Sequence, residues 1–322
     1  MSTSSVNDQI LLLRNIAKIF DGYVMLVLVI IGSIGNLLNI FIFLRFKSLR
    51  QMSNTVFLVG SFIGSLALLW ASQIPRCVLT ITGIDLHAIS AVYCKIPWLF
   101  GRFGLNMPFT CLCLSGIDRF LCTSRRANFR RIMTRKRALI IVIIVSLAYL
   151  IMFIPDVVYY SDPGCTASAN ARARFSVFVN YFNLYVTNVV SMCVLLLFGF
   201  LTWYNLYIGK QQTRFTQIQK QVTRMMVIEF LMIFITMLPN FIWNIYDEIT
   251  QYQVKSQLRI AQETLWRNIN VCLSFTLHVG RFFIYMLVSG AFRQYAHGAL
   301  CCKNYNQVGT THVSLHGRTA TN

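Results

Sequence analysis

Charge is what this 322-residue chain has least of. Only 12% of its residues are Asp, Glu, Lys or Arg, where a soluble domain carries about 25%. That deficit excludes a large soluble core. With 56% hydrophobic residues and a mean hydropathy of +0.58, it points to a lipid environment. Acids are the scarcer sign, 10 against 29 Lys and Arg, which leaves a net charge of +19. The basic residues sit between long apolar runs rather than in one patch, which argues against a nucleic-acid partner. The five histidines (His87, His278, His297, His312 and His316) form no HExxH and no tight Cys/His cluster. No Gly-rich phosphate loop occurs either. The sequence therefore predicts no metal, no cofactor and no enzyme. It also lacks an Asn-x-Ser/Thr sequon, an internal repeat and a signal-peptide pattern in its first 22 residues, so the first apolar run is expected to act as the signal itself.

Apolar runs are what is abundant. A helix needs about 20 apolar residues to cross a bilayer, and seven stretches meet or approach that length: 23–46, 54–75, 91–122, 137–159, 174–207, 219–246 and 264–289. The predicted fold is all-α, an integral membrane bundle of seven transmembrane helices. Seven crossings put the termini on opposite sides, and Lys plus Arg decide which side is cytoplasmic. Eighteen of the 29 follow the first, third, fifth and seventh runs, nine lie on the other side, and Arg102 and Arg281 lie within runs. Eight of the ten acids accompany the nine, so the N-terminus is placed outside. The predicted organisation is an extracellular N-terminus at 1–22, a transmembrane domain at 23–289, an amphipathic helix at 290–302 and a disordered cytoplasmic tail at 303–322.

Residues 111 to 126 read CLCLSGIDRFLCTSRR and raise the question of why Asp118 and Arg119 close an apolar run. Ionic groups at a membrane centre cost about 2.5–3.5 kcal/mol each. From Cys94 to Arg119 is 25 residues, or about 37 Å of helix. That length spans the hydrocarbon core and places the pair at the cytoplasmic mouth. Cys94 at the outer start of this run and Cys165 in the next outer loop both face an oxidising compartment. A bridge between them and a pair of free thiols, with Cys77 a competitor, are both consistent with their positions.

The arrangement resembles the rhodopsin-like family of G protein-coupled receptors. A cysteine at the outer end of the third helix, followed by an Asp/Glu-Arg-Tyr/Phe triplet, is that family's layout, here Cys94 and Asp118-Arg119-Phe120. Asn36 in the first helix, Pro239 in the sixth and Tyr285 seven residues before Phe292 also match. The resemblance implies a Cys94–Cys165 disulfide and a role for Asp118, Arg119, Phe120, Gln219 and Tyr285 in coupling to a heterotrimeric G protein. It also implies a short membrane-parallel eighth helix, whose Phe292, Tyr295, Ala296, Ala299 and Leu300 share one face. Cys301 and Cys302 beside it are palmitoylation candidates.

Several positions depart from the family. Ser65 stands where a sodium-binding aspartate is usual, Met237 where an aromatic toggle is, and Arg281-Phe282 where Asn-Pro is. Gln219 replaces the acid that often holds the helix 3 arginine. The loss of Asn-Pro with Phe-x-x-Tyr retained is similar to some invertebrate neuropeptide receptors, FMRFamide-type ones among them. Arg281 deep in a helix needs a partner. Glu229, ten residues before Pro239, lies at similar depth, and the alternatives are a Glu229–Arg281 pair or separate snorkelling of each charge to water. Arg102, near the outer end of the third helix, could meet a ligand carboxylate or an internal acid such as Asp156 or Asp247.

Gln73, Arg102, Tyr181, Asn183, Asn240, Trp243, Asn244, Trp266 and Asn270 cluster toward the outer helix ends. They are candidate ligand-binding residues, and aromatics with amides suit a peptide. The expected function is a plasma-membrane receptor for an extracellular peptide or other small ligand. Its cytoplasmic partners would be a G protein and, through the basic segment RRANFRRIMTRKR, acidic membrane lipids. A non-coupling decoy receptor and a seven-helix transporter or channel are the competing classes.

Overall fold

The computed structural model describes residues 3–124, 126–161, 166–167, 175, 177–179, 181–207 and 217–300. Seven long rods make the bundle. The first, α1, runs without a break from Thr3–Ile19 through a π-helical Phe20–Val24 into Met25–Arg45. The second, α2, is likewise composite: Ser53–Leu68, a π-helical Leu69–Gln73 and Ile74–Thr82. Then come α3 (Ala91–Thr123), α4 (Arg135–Met152) and α5, whose π-helical Phe182–Val190 leads into Ser191–Tyr207. The last two rods are α6 (Gln217–Thr250) and α7 (Gln257–Val288), and the short α8 (Gly290–Leu300) follows. A two-residue antiparallel ladder, Tyr160–Ser161 with Thr166–Ala167, lies in the loop before α5.

Local chemistry sets the ends. Side chains of Ser90, Thr134 and Ser256 accept the backbone N–H three residues on, which caps α3, α4 and α7. The α2 rod ends at Gly83, whose φ of 76° is the left-handed conformation that glycine enters without penalty. The π-helical turn of α2 comes directly before Pro75. A proline cannot donate into the helix, and a widened turn is one way to absorb the missing bond.

Among the described residues five helices can cross a membrane by length and apolar composition: Val6–Arg45, Ser53–Thr82, Tyr185–Asn205, Gln221–Thr250 and Gln257–Val288. The other two rods fall short for different reasons. α3 carries Lys95, Arg102, Asp118 and Arg119, and it can do so because it packs against α2, α4 and α5. α4 has only 18 residues and opens on Arg-Lys-Arg. Its Leu139, Ile140, Ile143, Ile144, Leu147 and Ile151 are exposed and only Ala138 is buried, as suits a helix facing lipid.

Lipid gives helices no hydrophobic reason to associate, so close approach must come from small residues. Gly64 and Gly104 supply it between α2 and α3. A β-carbon on Gly104 would overlap the Leu68 backbone nitrogen and sit 2.7 Å from the Gly64 carbonyl oxygen. Backbone cannot step aside as a side chain can. Gly104→Ala should therefore destabilise by about 1–3 kcal/mol or more, visible as a drop of several degrees in the melting temperature of detergent-purified protein. Gly280→Ala is the control, since its added carbon would meet only Ile284 Cδ1 at 4.0 Å. Equal melting of both variants would mean the α2–α3 contact is not tight.

The largest apolar cluster lies at the end bearing α8, where Phe43, Phe62, Tyr285 and Phe292 meet with ring centroids 5.5–6.3 Å apart. α8 seats Phe292, Tyr295, Ala296 and Ala299 against it, whereas Leu300, expected on the same face, is exposed.

Candidate functional site

Along α7 the polar residues Asn270, Ser274, His278, Arg281 and Tyr285 are all buried, and their spacing places them on one stripe facing the bundle. Arg281 is its centre. Its Nε lies 2.9 Å from Oε1 of Glu229 on α6, an ion pair whose angle falls outside hydrogen-bond geometry. Nη1 donates to Ser61 Oγ, which in turn donates to the Pro108 carbonyl at 3.2 Å. The guanidinium carbon stands 5.7 Å from the Phe62 ring centroid. Tyr285 Oη donates to the other oxygen of Glu229 at 2.6 Å. One carboxylate thus joins α6 to two residues of α7, and one guanidinium joins α7 to α2.

One turn outward, His278 Nδ1 is 3.0 Å from Ser65 Oγ, and the ring meets Phe109 edge-on at 5.9 Å. The His278 carbonyl accepts from Asn36 Nδ2 at 2.7 Å, and the same nitrogen donates to the Gly32 carbonyl. Ser65, the position at which the sequence departs from an aspartate, is therefore filled by a histidine contact.

Toward the opposite end, Asp118 is fully buried and Arg119 nearly so. Arg119 Nη2 donates to Asp118 Oδ2 at 2.8 Å, and Ser53 Oγ donates to Oδ1 at 2.6 Å. Phe120 points away from this pair and packs on Phe198 of α5 at 5.5 Å. Gln219 is helical, but its side chain lies outside the described residues. Two residues on, Gln221 Oε1 accepts from the Ala291 backbone N–H at 2.7 Å and from Ser289 Oγ at 2.9 Å. That side chain ties α6 to the junction of α7 and α8, and no family motif pointed to it.

At the outer end a cavity of about 330 Å³ opens among α3, α5, α6 and α7. It brings together Tyr181, Asn240 and Asn244 from the predicted ligand-binding set. A second cavity of about 300 Å³ holds Gln73 and Arg102 and adjoins the first through Leu105, Asn240, Ser274 and Phe275. Trp243, Trp266 and Asn270 line neither. Trp243 is buried against Tyr246 at 5.3 Å, Asn270 is buried in α7, and Trp266 is 53% exposed. The side chains of Asn183 and Asp156 lie outside the described residues. Arg102 has its guanidinium 5.5 Å from the Trp98 ring centroid, and Asp247 is not its partner.

Asn188, Asp247, Glu248 and His278 also line the first cavity and had not been singled out as ligand residues. A signal was present for the two α6 residues among them, Asp247 and Glu248. Asn240, Asn244, Asp247 and Glu248 recur at i, i+4, i+7 and i+8, the spacing of a single helix face.

Cys94 is buried and disulfide-bonded, and Cys77, the competing thiol, is free. Cys165, its expected partner, and the lipidation candidates Cys301 and Cys302 lie outside the described residues.

The family model described as "7 transmembrane receptor (rhodopsin family)" matches residues 35–281, which include the buried ion pair and most of both cavities. No curated protein matches the chain.

Proposed function

We propose, from the premise that the chain belongs to the rhodopsin family of seven-transmembrane receptors, that it is a plasma-membrane receptor for an extracellular peptide and that it signals through a heterotrimeric G protein. The observation carrying this reading is the outer cavity, which is concave, sits at one end of the bundle and is lined by amides of α5 and α6 that no side chain among the described residues engages. A peptide backbone, with donors and acceptors at every residue, meets such a wall better than an apolar ligand does.

The mechanism is a population shift. Peptide bound between α3, α5, α6 and α7 favours whichever arrangement it contacts better, by the difference in its affinity for the two. The other arrangement has α6 swung outward, so that a G protein enters beside Arg119. In the described residues Arg119 bonds only its neighbour Asp118, while α6 is held by α7 through Glu229, Arg281 and Tyr285. The resting restraint on α6 thus lies on the α7 side. A transporter would need a continuous polar path, and the rings of Phe43, Phe62, Tyr285 and Phe292 packed beside Arg281 speak against one.

The test is G-protein dissociation in cells expressing the chain, challenged with a panel of neuropeptides, with wild type and Arg119→Ala side by side. The expected result is a response in wild type that falls at least tenfold in the variant at equal surface expression. Peptide binding without dissociation in either would favour a decoy receptor, and equal responses would remove Arg119 from coupling.

A further inference from the structure

Cations outnumber acids 29 to 10 in this chain, so an acid left without a partner is not short of candidates. Two acids elsewhere at the outer end hold cationic partners. Asp21 holds Arg76 at 2.5 Å, and Glu263 holds both Lys255 at 2.7 Å and Arg259 at 2.9 Å. The two acids on the outer cavity differ. Among the described residues Asp247 makes no hydrogen bond and no ion pair, and the Glu248 carboxylate accepts only the Tyr181 hydroxyl at 3.2 Å. Around them the side chains of Asn188, Asn240 and Asn244 line the same cavity and make no hydrogen bond among the described residues. At its floor lies His278, 2% exposed, with Nδ1 3.0 Å from Ser65 Oγ.

We infer that this cavity takes a peptide bearing a basic side chain, whose guanidinium or ammonium group meets Asp247 and Glu248 while its backbone amides meet Asn188, Asn240 and Asn244. The inference rests on reading the cavity as a peptide site and adds the charge that the peptide must carry. A guanidinium presents five N–H donors in a planar fork, enough to serve both carboxylates at once. A lone small amine would satisfy the acids and leave the three amides unmet. An acidic peptide would place like charges together at the mouth, which disfavours it.

The experiment uses the full chain in lipid nanodiscs and acetylated tetrapeptide pools with one position fixed as arginine, lysine, citrulline or glutamate. Arginine and lysine pools should raise the melting temperature. Citrulline, which keeps the shape of arginine without its charge, should not, and neither should glutamate. In the Asp247→Asn, Glu248→Gln double variant the concentration needed for half the arginine effect should rise at least tenfold. Asp247→Glu, which keeps the charge, should retain the effect, and unliganded melting should be the same in all three proteins. Citrulline pools acting as well as arginine pools, and losing their effect in Asn240→Ala, would overturn the charge inference and leave the peptide site standing. Stabilisation by none of the pools would overturn the peptide reading together with it.

Discussion

Glu229→Gln and Arg281→Gln should each destabilise the receptor severely, and the double variant should recover much of the loss. Each single change leaves one full charge buried in the bundle with its partner gone. Breaking a buried pair in this way costs about 3–5 kcal/mol, far more than the intact pair contributes over a neutral replacement. Both residues are essentially unexposed, at 0%, so neither charge has water to turn to, and snorkelling is closed to Arg281 by its bonds to Ser61 and Glu229. Substitution by glutamine is the informative choice at 229, because its carbonyl oxygen can still accept the Tyr285 hydroxyl. What changes is the charge and little else. The measurement is a double-mutant cycle on the melting temperature of detergent-purified protein, with surface expression read in parallel. A coupling well above 1 kcal/mol is expected for groups in contact. If the two single effects add, the charges act separately.

The bundle itself was legible because the bilayer imposes a length on every crossing. Apolar runs near 23–46, 54–75 and 219–246 became rods at those places, and the depth argument from Pro239 put Glu229 level with Arg281, where the structure also has them. Two features escaped for physical reasons. Thr3–Ile19 is helical although Asn7, Asp8, Gln9, Arg14, Asn15 and Lys18 interrupt its apolar residues, so no run of crossing length marks it. The π-helical turns in α1, α2 and α5 leave no periodic signature in the sequence. At the site, aromatic residues misled more than amides did. Trp266 and Trp243 are as suited to a surface or a helix contact as to a pocket, and here they take those places. Asp247 was read only as a possible partner of Arg102, and Glu248 was not singled out, because acids at an outer helix end look like a solvated rim until the cavity beneath them is seen.

Gln221→Ala should raise ligand-independent signalling by about tenfold. Its side-chain oxygen accepts two hydrogen bonds from beyond α7, the Ala291 N–H at 2.7 Å and the Ser289 hydroxyl at 2.9 Å. In the proposed mechanism outward movement of α6 carries that oxygen away, which assigns both bonds to the resting arrangement. A net contribution of roughly 0.5–1.5 kcal/mol per neutral bond puts the pair at about 1–3 kcal/mol, and since every 1.4 kcal/mol is a factor of about ten in the population ratio, a tenfold rise falls within that range. The resting state loses that margin and the active state loses nothing. Tyr285→Phe supplies an independent check, since it removes only the hydroxyl that reaches from α7 to Glu229 at 2.6 Å. It should also raise basal signalling, and the two together should raise it further because they release α6 at different heights. G-protein dissociation without added peptide, normalised to surface receptor, is the readout. Basal signalling unchanged in both, at normal expression, would show that the α6–α7 bonds persist in the active arrangement and that the restraint on α6 lies elsewhere.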